Sequence, residues 1–162
     1  MGSGETTRGV DRLAARDPVA LAEALRLDDG VGFLVRLLST RSTQLYQELT
    51  GQDEVTPRQF GALLTLHQRG ALTLTELASR ISVDLSTLSD MVRRMVRKGL
   101  IAKSDNGEDR RSALVSLTPA GEAALLGLVP GAAALQRALL APLPADKRRQ
   151  FVRWMKLVAC GG

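Results

Sequence analysis

The chain has 162 residues, a length that suits one domain with its own core. Apolar residues make up 44% but aromatics only 3%, so the core must be built from Leu, Val and Ala, which favours helices packed on helices. The net charge of +5 suits a nucleic acid or anionic partner, while one cysteine and one histidine exclude an internal disulfide, a cysteine-rich metal site and a multi-histidine zinc centre; no metal or cofactor is expected.

The N-terminus, MGSGETTRG, lacks the apolar segment of a signal peptide. No apolar run approaches the roughly 20 residues needed to span a bilayer, so a cytoplasmic chain without a membrane partner is expected. Residues 1–30 form an N-terminal extension with short helices. Pro18 after Asp17 marks a helix start there, and Leu13, Leu21, Ala24 and Leu25 give it an apolar side. Residues 31–50 read as a long amphipathic helix with Leu34, Leu37, Leu38, Leu45 and Leu49 in a stripe and Phe33 and Tyr46 nearby. Residues 56–69 read as another, capped by Thr56 with Pro57 at its first position and Phe60, Leu63, Leu64 and Leu66 on its apolar side.

Residues 73–118 carry the most information. Thr73 followed by Glu76 is a capping box, and Leu74, Leu77, Ala78 and Ile81 share one helical face. Ser82-Val83-Asp84 is a three-residue turn, with Asp84 suited to cap a second helix. In that helix Leu85, Leu88, Val92 and Met95 are the expected buried stripe, flanked by Met91 and Val96. Gly99 ends it, because glycine accepts a left-handed backbone without steric cost. Two short helices around a tight turn, followed by a hairpin, have the order of a winged helix-turn-helix.

The outer face of the second helix holds Ser86, Thr87, Ser89, Asp90, Arg93, Arg94 and Arg97. Small hydroxyl side chains on the first turn permit close approach to base edges, and Arg93 and Arg94 further along reach phosphates or a guanine edge. Leu100–Lys103 and Ala113–Leu117 read as short strands around the turn signal Asp105-Asn106-Gly107. The loop then runs Glu108-Asp109-Arg110-Arg111. It suits insertion of an arginine into the minor groove, with Asp109 orienting Arg111 through a charged hydrogen bond. Seven of the 22 Lys and Arg lie between Arg93 and Arg111, against three acids.

After the wing, Thr118-Pro119 starts an Ala/Leu-rich helix that reaches Leu140, with a bend expected at Pro130-Gly131. Pro142-Leu143-Pro144 breaks it. Residues 145–158 close the chain as a helix with Phe151, Trp154, Met155 and Val158 inward. These helices and the one at 31–50 hold more apolar surface than one small wing domain needs, which points to a dimer interface. The expected fold class is mainly α with a small β-hairpin wing. The expected regions are the extension at 1–30, helical dimerisation regions at 31–55 and 118–162, and a winged helix-turn-helix at 56–117. No catalytic residue is expected: His67 has no serine or cysteine motif around it, and no phosphate loop or dinucleotide fingerprint is present. A winged helix used only for protein contacts is the competing non-enzymatic reading, separable by the salt dependence of binding.

The segments SVDLSTLSDMVRRMVRKGLI and EDRRSALVSLTPAGEAAL together resemble the MarR family of bacterial transcriptional regulators. Asp109 and Arg111 match the family's Asp-x-Arg wing pattern, and Leu117, Thr118 and Gly121 fit its continuation; the resemblance spans roughly residues 31–158. It implies a homodimer on a palindromic double-stranded operator, usually repression, and release by a small molecule or by thiol oxidation. The implied effector is most often an aromatic carboxylate and in some cases its CoA thioester. By the same resemblance, the effector residues are Phe33, Arg36, Leu37, Arg41, Tyr46, Phe60, Leu64 and His67, the arginines pairing with an anion and Tyr46 and His67 hydrogen-bonding. Thiol-sensing relatives place their cysteine near the start of the first long helix, whereas Cys160 is the third residue from the end here.

Overall fold

A computed structural model describes residues 17–51, 54–105 and 113–161. The chain divides into two compact units, residues 1–42 and 43–162. In the first, helix α1 (Pro18–Ala24) starts as the sequence reading expects: the Asp17 carboxylate accepts the Val19 N–H at 2.9 Å and Pro18 takes the first turn. A 3-10 turn (Leu27–Asp29) follows, where the Arg26 guanidinium pairs with Asp28 and Asp29 in full solvent. Helix α2 (Val31–Thr50) begins in this unit and ends in the second.

The second unit continues with α3 (Pro57–Arg69), β1 (Leu72–Thr73), α4 (Leu74–Ile81), α5 (Leu85–Arg97), β2 (Ile101–Asp105), β3 (Ala113–Leu117), α6 (Pro119–Leu140) and α7 (Arg148–Cys160). Helix α3 starts with a full capping box, in which Thr56 and Gln59 satisfy each other's backbone N–H groups at 2.9 and 3.3 Å. The sheet is antiparallel in the order β1-β3-β2. The expected hairpin is present, but it carries a third strand that the sequence did not reveal. Leu72 pairs with Val115 and Thr73 with Leu114, so Thr73 serves both the sheet and the start of α4.

One aliphatic core joins these elements. Leu63, Leu66, Leu77, Leu88, Met95, Ile101, Val115, Leu125 and Leu128 are fully enclosed in it, contributed by three helices, two strands and α6. A smaller cluster of Leu45, Tyr46 and Leu135 packs with Phe60, Ala138 and Leu139.

The structure corrects three expectations. Leu85 and Val96 are exposed and Met91 is buried, so the inner stripe of α5 is Leu88, Met91, Val92 and Met95. Helix α7 has no buried residue in the single chain: Trp154 is 54% exposed and Val158 72%. A helical period defines a face but does not say what covers it. Finally, α6, which holds Pro130 inside it, is long and apolar enough, by length and composition, to cross a membrane. Alanines and glycines among the leucines hid this from a search for unbroken apolar runs. Helix α6 nevertheless buries Gly121, Leu125, Leu128 and Leu135 within the protein.

Candidate nucleic-acid interface

Helix α4 is held at its start by the Thr73–Glu76 box. The Glu76 carboxylate accepts the Thr73 N–H at 2.9 Å and the Thr73 hydroxyl at 2.8 Å, while Thr73 Oγ1 accepts the Glu76 N–H at 3.2 Å. The hydrogen bonds from Thr73, backbone first and then side chain, hold the Glu76 pKa below the usual carboxylate range. Helix α4 ends on Ser82, the one non-glycine residue with positive φ (53°) among those described. That left-handed residue turns the chain sharply enough for Val83 N–H to reach the Ala78 carbonyl at 3.1 Å.

Asp84, the cap of α5, follows two residues later. Asp84 accepts the Thr87 N–H at 2.8 Å, and hydrogen bonds from Thr87, side chain before backbone, lower its pKa. At the far end Lys98 and Gly99 close the helix: Leu100 N–H bonds the Met95 carbonyl at 3.0 Å and Gly99 N–H bonds Val96 at 2.9 Å, with Gly99 left-handed at φ 70°. This double bond pattern satisfies carbonyls that a helix end otherwise leaves free.

The end of α5 is fastened to α6. The Thr118 hydroxyl lies 2.6 and 3.0 Å from the Gly99 and Leu100 carbonyls, and its oxygen accepts the Gly121 N–H at 3.0 Å. A Cβ on Gly121 would collide with the Leu100 carbonyl, so only glycine permits this approach. The reading helix, the wing and α6 therefore meet at one tight junction.

On the outer face, Ser86, Asp90, Arg93 and Arg94 are exposed, and Thr87 and Ser89 are half-buried. Arg93 and Asp90 form an exposed ion pair, which holds Arg93 along the helix. Beside them lies an open groove of about 580 Å³ lined by Asp90, Arg93, Arg94, Val96, Arg97 and Lys103. The sequence reading did not single out Arg97 and Lys103 as site residues. They join the site because β2 folds back beside the last turn of α5; the signal was the clustering of positive charge. In the wing, Asp105 pairs with Ala113, leaving residues 106–112 to connect the strands. Asp109, Arg110 and Arg111 lie outside the described residues.

The candidate effector residues fall in both units. In the first, Phe33 is half-buried with the Arg36 guanidinium 5.0 Å from its ring centre, and Leu37 and Arg41 are exposed. In the second, Tyr46 and Phe60 meet edge to face at 6.1 Å. Tyr46 is only 2% exposed and its hydroxyl has no hydrogen-bond partner among the described residues; burial pushes its pKa up. Leu64 packs on the main core, and His67 Nδ1 lies 3.3 Å from Glu122 on α6.

The model for the MarR family matches residues 55–113, which are α3 to the wing. The HTH-type transcriptional repressor NicR of Pseudomonas putida is 30% identical over 118 residues, covering 73% of this chain and 75% of the relative. The chain belongs to the MarR family. The organic hydroperoxide resistance transcriptional regulator of Bacillus subtilis is 34% identical over 97 residues, covering 60% of this chain and 66% of that protein. Among solved structures, BpsR of Bordetella bronchiseptica, whose DNA binding is regulated by 6-hydroxynicotinic acid, superposes with a TM-score of 0.79 at 27% identity, covering 83% of this chain and 96% of its own. A cysteine-to-serine variant of MarR from E. coli, complexed with operator DNA, gives a TM-score of 0.73 at 29% identity, covering 79% and 92%. The winged helix-turn-helix described above is thus the reading unit of a MarR-type transcriptional regulator.

Proposed function

We propose that this protein is a ligand-responsive repressor that binds a palindromic DNA operator as a homodimer. The observation that carries the reading is the pairing of a rigidly capped α5 with a basic groove on its outer side. Ser86, Thr87, Ser89 and Asp90 face base edges; Arg93 and Arg94 reach phosphates or a guanine edge, and Arg97 and Lys103 face phosphates; Arg110 and Arg111 of the wing reach the flanking minor groove, with Asp109 orienting Arg111. The MarR–operator complex supports the mode of binding. The exposed apolar residues of α7, with Leu126 and Val129 of α6, form the dimer contact together with α2. That role accounts for the membrane-length apolarity of α6 in a cytoplasmic regulator.

The effector is a small anionic aromatic molecule, an aromatic carboxylate or its CoA thioester. BpsR, regulated by an aromatic acid, supports this class. In the second unit Phe60 and Leu64 supply its apolar contacts and Tyr46 and His67 its hydrogen bonds; the family resemblance adds Phe33, Arg36, Leu37 and Arg41, which lie in the first. Tyr46 is the most telling of these, because a buried hydroxyl without a partner costs stability until something pairs with it. A ligand preferring one dimer geometry would shift the spacing of the reading helices only as far as that preference extends. Thiol sensing has no comparable support: the chain's one cysteine, Cys160, is exposed near the end of α7.

Fluorescence anisotropy tests this reading. A labelled duplex from the protein's own upstream region is titrated at two salt concentrations against a scrambled duplex. Tight, sequence-selective binding that weakens steeply with salt is expected, with release by aromatic acids or their thioesters. Equal weak binding to both duplexes, or binding indifferent to salt, would favour the protein-contact alternative.

A further inference from the structure

One side chain of α5 is not accounted for by hydroxyl and arginine contacts. Leu85 is the first residue of the helix, and 50% of it is exposed. The Asp84 cap fixes the backbone on either side, so Leu85 cannot roll inward without losing that hydrogen bond. At ~100° per residue it stands roughly 70° from the middle of the buried stripe, on the side that carries Ser86, Ser89 and Arg93.

A lone exposed leucine on a solvated helix needs no explanation. The first turn of the second helix in a helix-turn-helix is a different place, because that turn meets the base edges. Within the first two turns of α5 the other large apolar side chains, Leu88, Met91 and Val92, are buried. Leu85 is therefore one apolar group framed by hydroxyls, a carboxylate and an arginine. A protein partner would need a contiguous apolar patch. The major groove offers a single apolar group among hydrogen-bonding edges, the C5-methyl of thymine.

Resting on the operator reading above, we infer that Leu85 packs on the methyl group of one thymine in each half-site and sets a thymine preference there. The contact supplies sequence information that the arginines, if they lie on phosphates, do not.

Random duplexes selected on the full-length protein provide the test. The enriched duplex is remade with deoxyuridine in place of thymine, one symmetric pair at a time, which removes only the methyl. Wild-type binding is expected to weaken about fourfold per half-site at one pair, the worth of a buried methyl-sized group. Leu85→Ala is expected to bind the thymine and uracil forms of that duplex alike while melting at a temperature near that of wild type, which shows that it is folded. Leu85→Met, keeping the apolar reach, should retain the methyl dependence. An enriched duplex with no methyl-dependent pair overturns the Leu85 contact alone, as does a methyl dependence that survives in Leu85→Ala. Failure to enrich any duplex overturns the operator reading and the Leu85 contact with it.

Discussion

The reading region, α3 to the wing, and the terminal helix α7 were both legible as amphipathic helices, yet they behave differently. The first closes its core within one chain. Leu77, Leu88, Met95 and Val115 are out of solvent, and the starts of α3, α4 and α5 are capped by side chains. Helix α7 has the same kind of apolar face with nothing buried. The lesson is that an apolar stripe reports a surface that must be covered. Only the structure shows whether the chain covers it itself or leaves it for a partner.

The largest effect that sharpens this contrast is in the core. Leu88→Ala should cost about 2–5 kcal/mol of stability, the range for emptying an enclosed leucine site. Trp154→Ala should instead leave the fold of the reading region intact and weaken self-association, seen as a fall in sedimenting mass on dilution. If denaturant titration shows equal losses of stability at unchanged mass, the two regions do not differ in the way described.

The junction of α5, the wing and α6 comes next. Gly121→Ala forces a Cβ onto the Leu100 carbonyl and should cost about 1–3 kcal/mol, the range for overpacking. Because Leu100 joins α5 to β2, the same change should reduce sequence selectivity more than binding to unrelated DNA. A melting temperature and selectivity equal to wild type would show that the junction is not tight.

On the DNA side, Arg111→Ala should weaken operator binding by about 1–3 kcal/mol without loss of stability, the size of one good groove contact. Arg94→Ala should weaken all sequences evenly and lower the salt slope by about one. A selective loss at one base pair for Arg94→Ala would reassign it to base reading.

The smallest effect is pH dependence. Glu76 and Asp84 have native pKa values below their ordinary ones, so they stabilise the folded state above the ordinary carboxylate range. That contribution is lost as the pH falls through their lowered native values, below about pH 4. Asp84→Asn should keep the cap at neutral pH and flatten part of the acid limb in thermal melts. An unchanged acid limb would remove Asp84 from the account.

Much of the reading region was visible in the sequence because its signals are local. Thr73 with Glu76, Asp84, Gly99 and Thr118 each mark an end of a helix, and the structure places a helix end at each. What escaped is non-local or too short. Strand β1 has two residues, below any periodicity, and exists because β3 lies beside it. Leu85 obeys the spacing of the buried stripe but sits at its edge, beyond the reach of the core. Arg97 and Lys103 share a groove only because β2 turns back along α5. The orphan hydroxyl of Tyr46 depends on what surrounds it, which no spacing in α2 could show.

The most direct test of the central claim is the sedimenting mass of the full-length protein at micromolar concentration, read together with the emission of its only tryptophan, Trp154. A particle of two chains with a water-shielded indole is predicted, as the proposed homodimer requires a second copy to cover α7. A folded single chain with a fully water-exposed indole would contradict the account, because the apolar face of α7 would then have no partner to explain it.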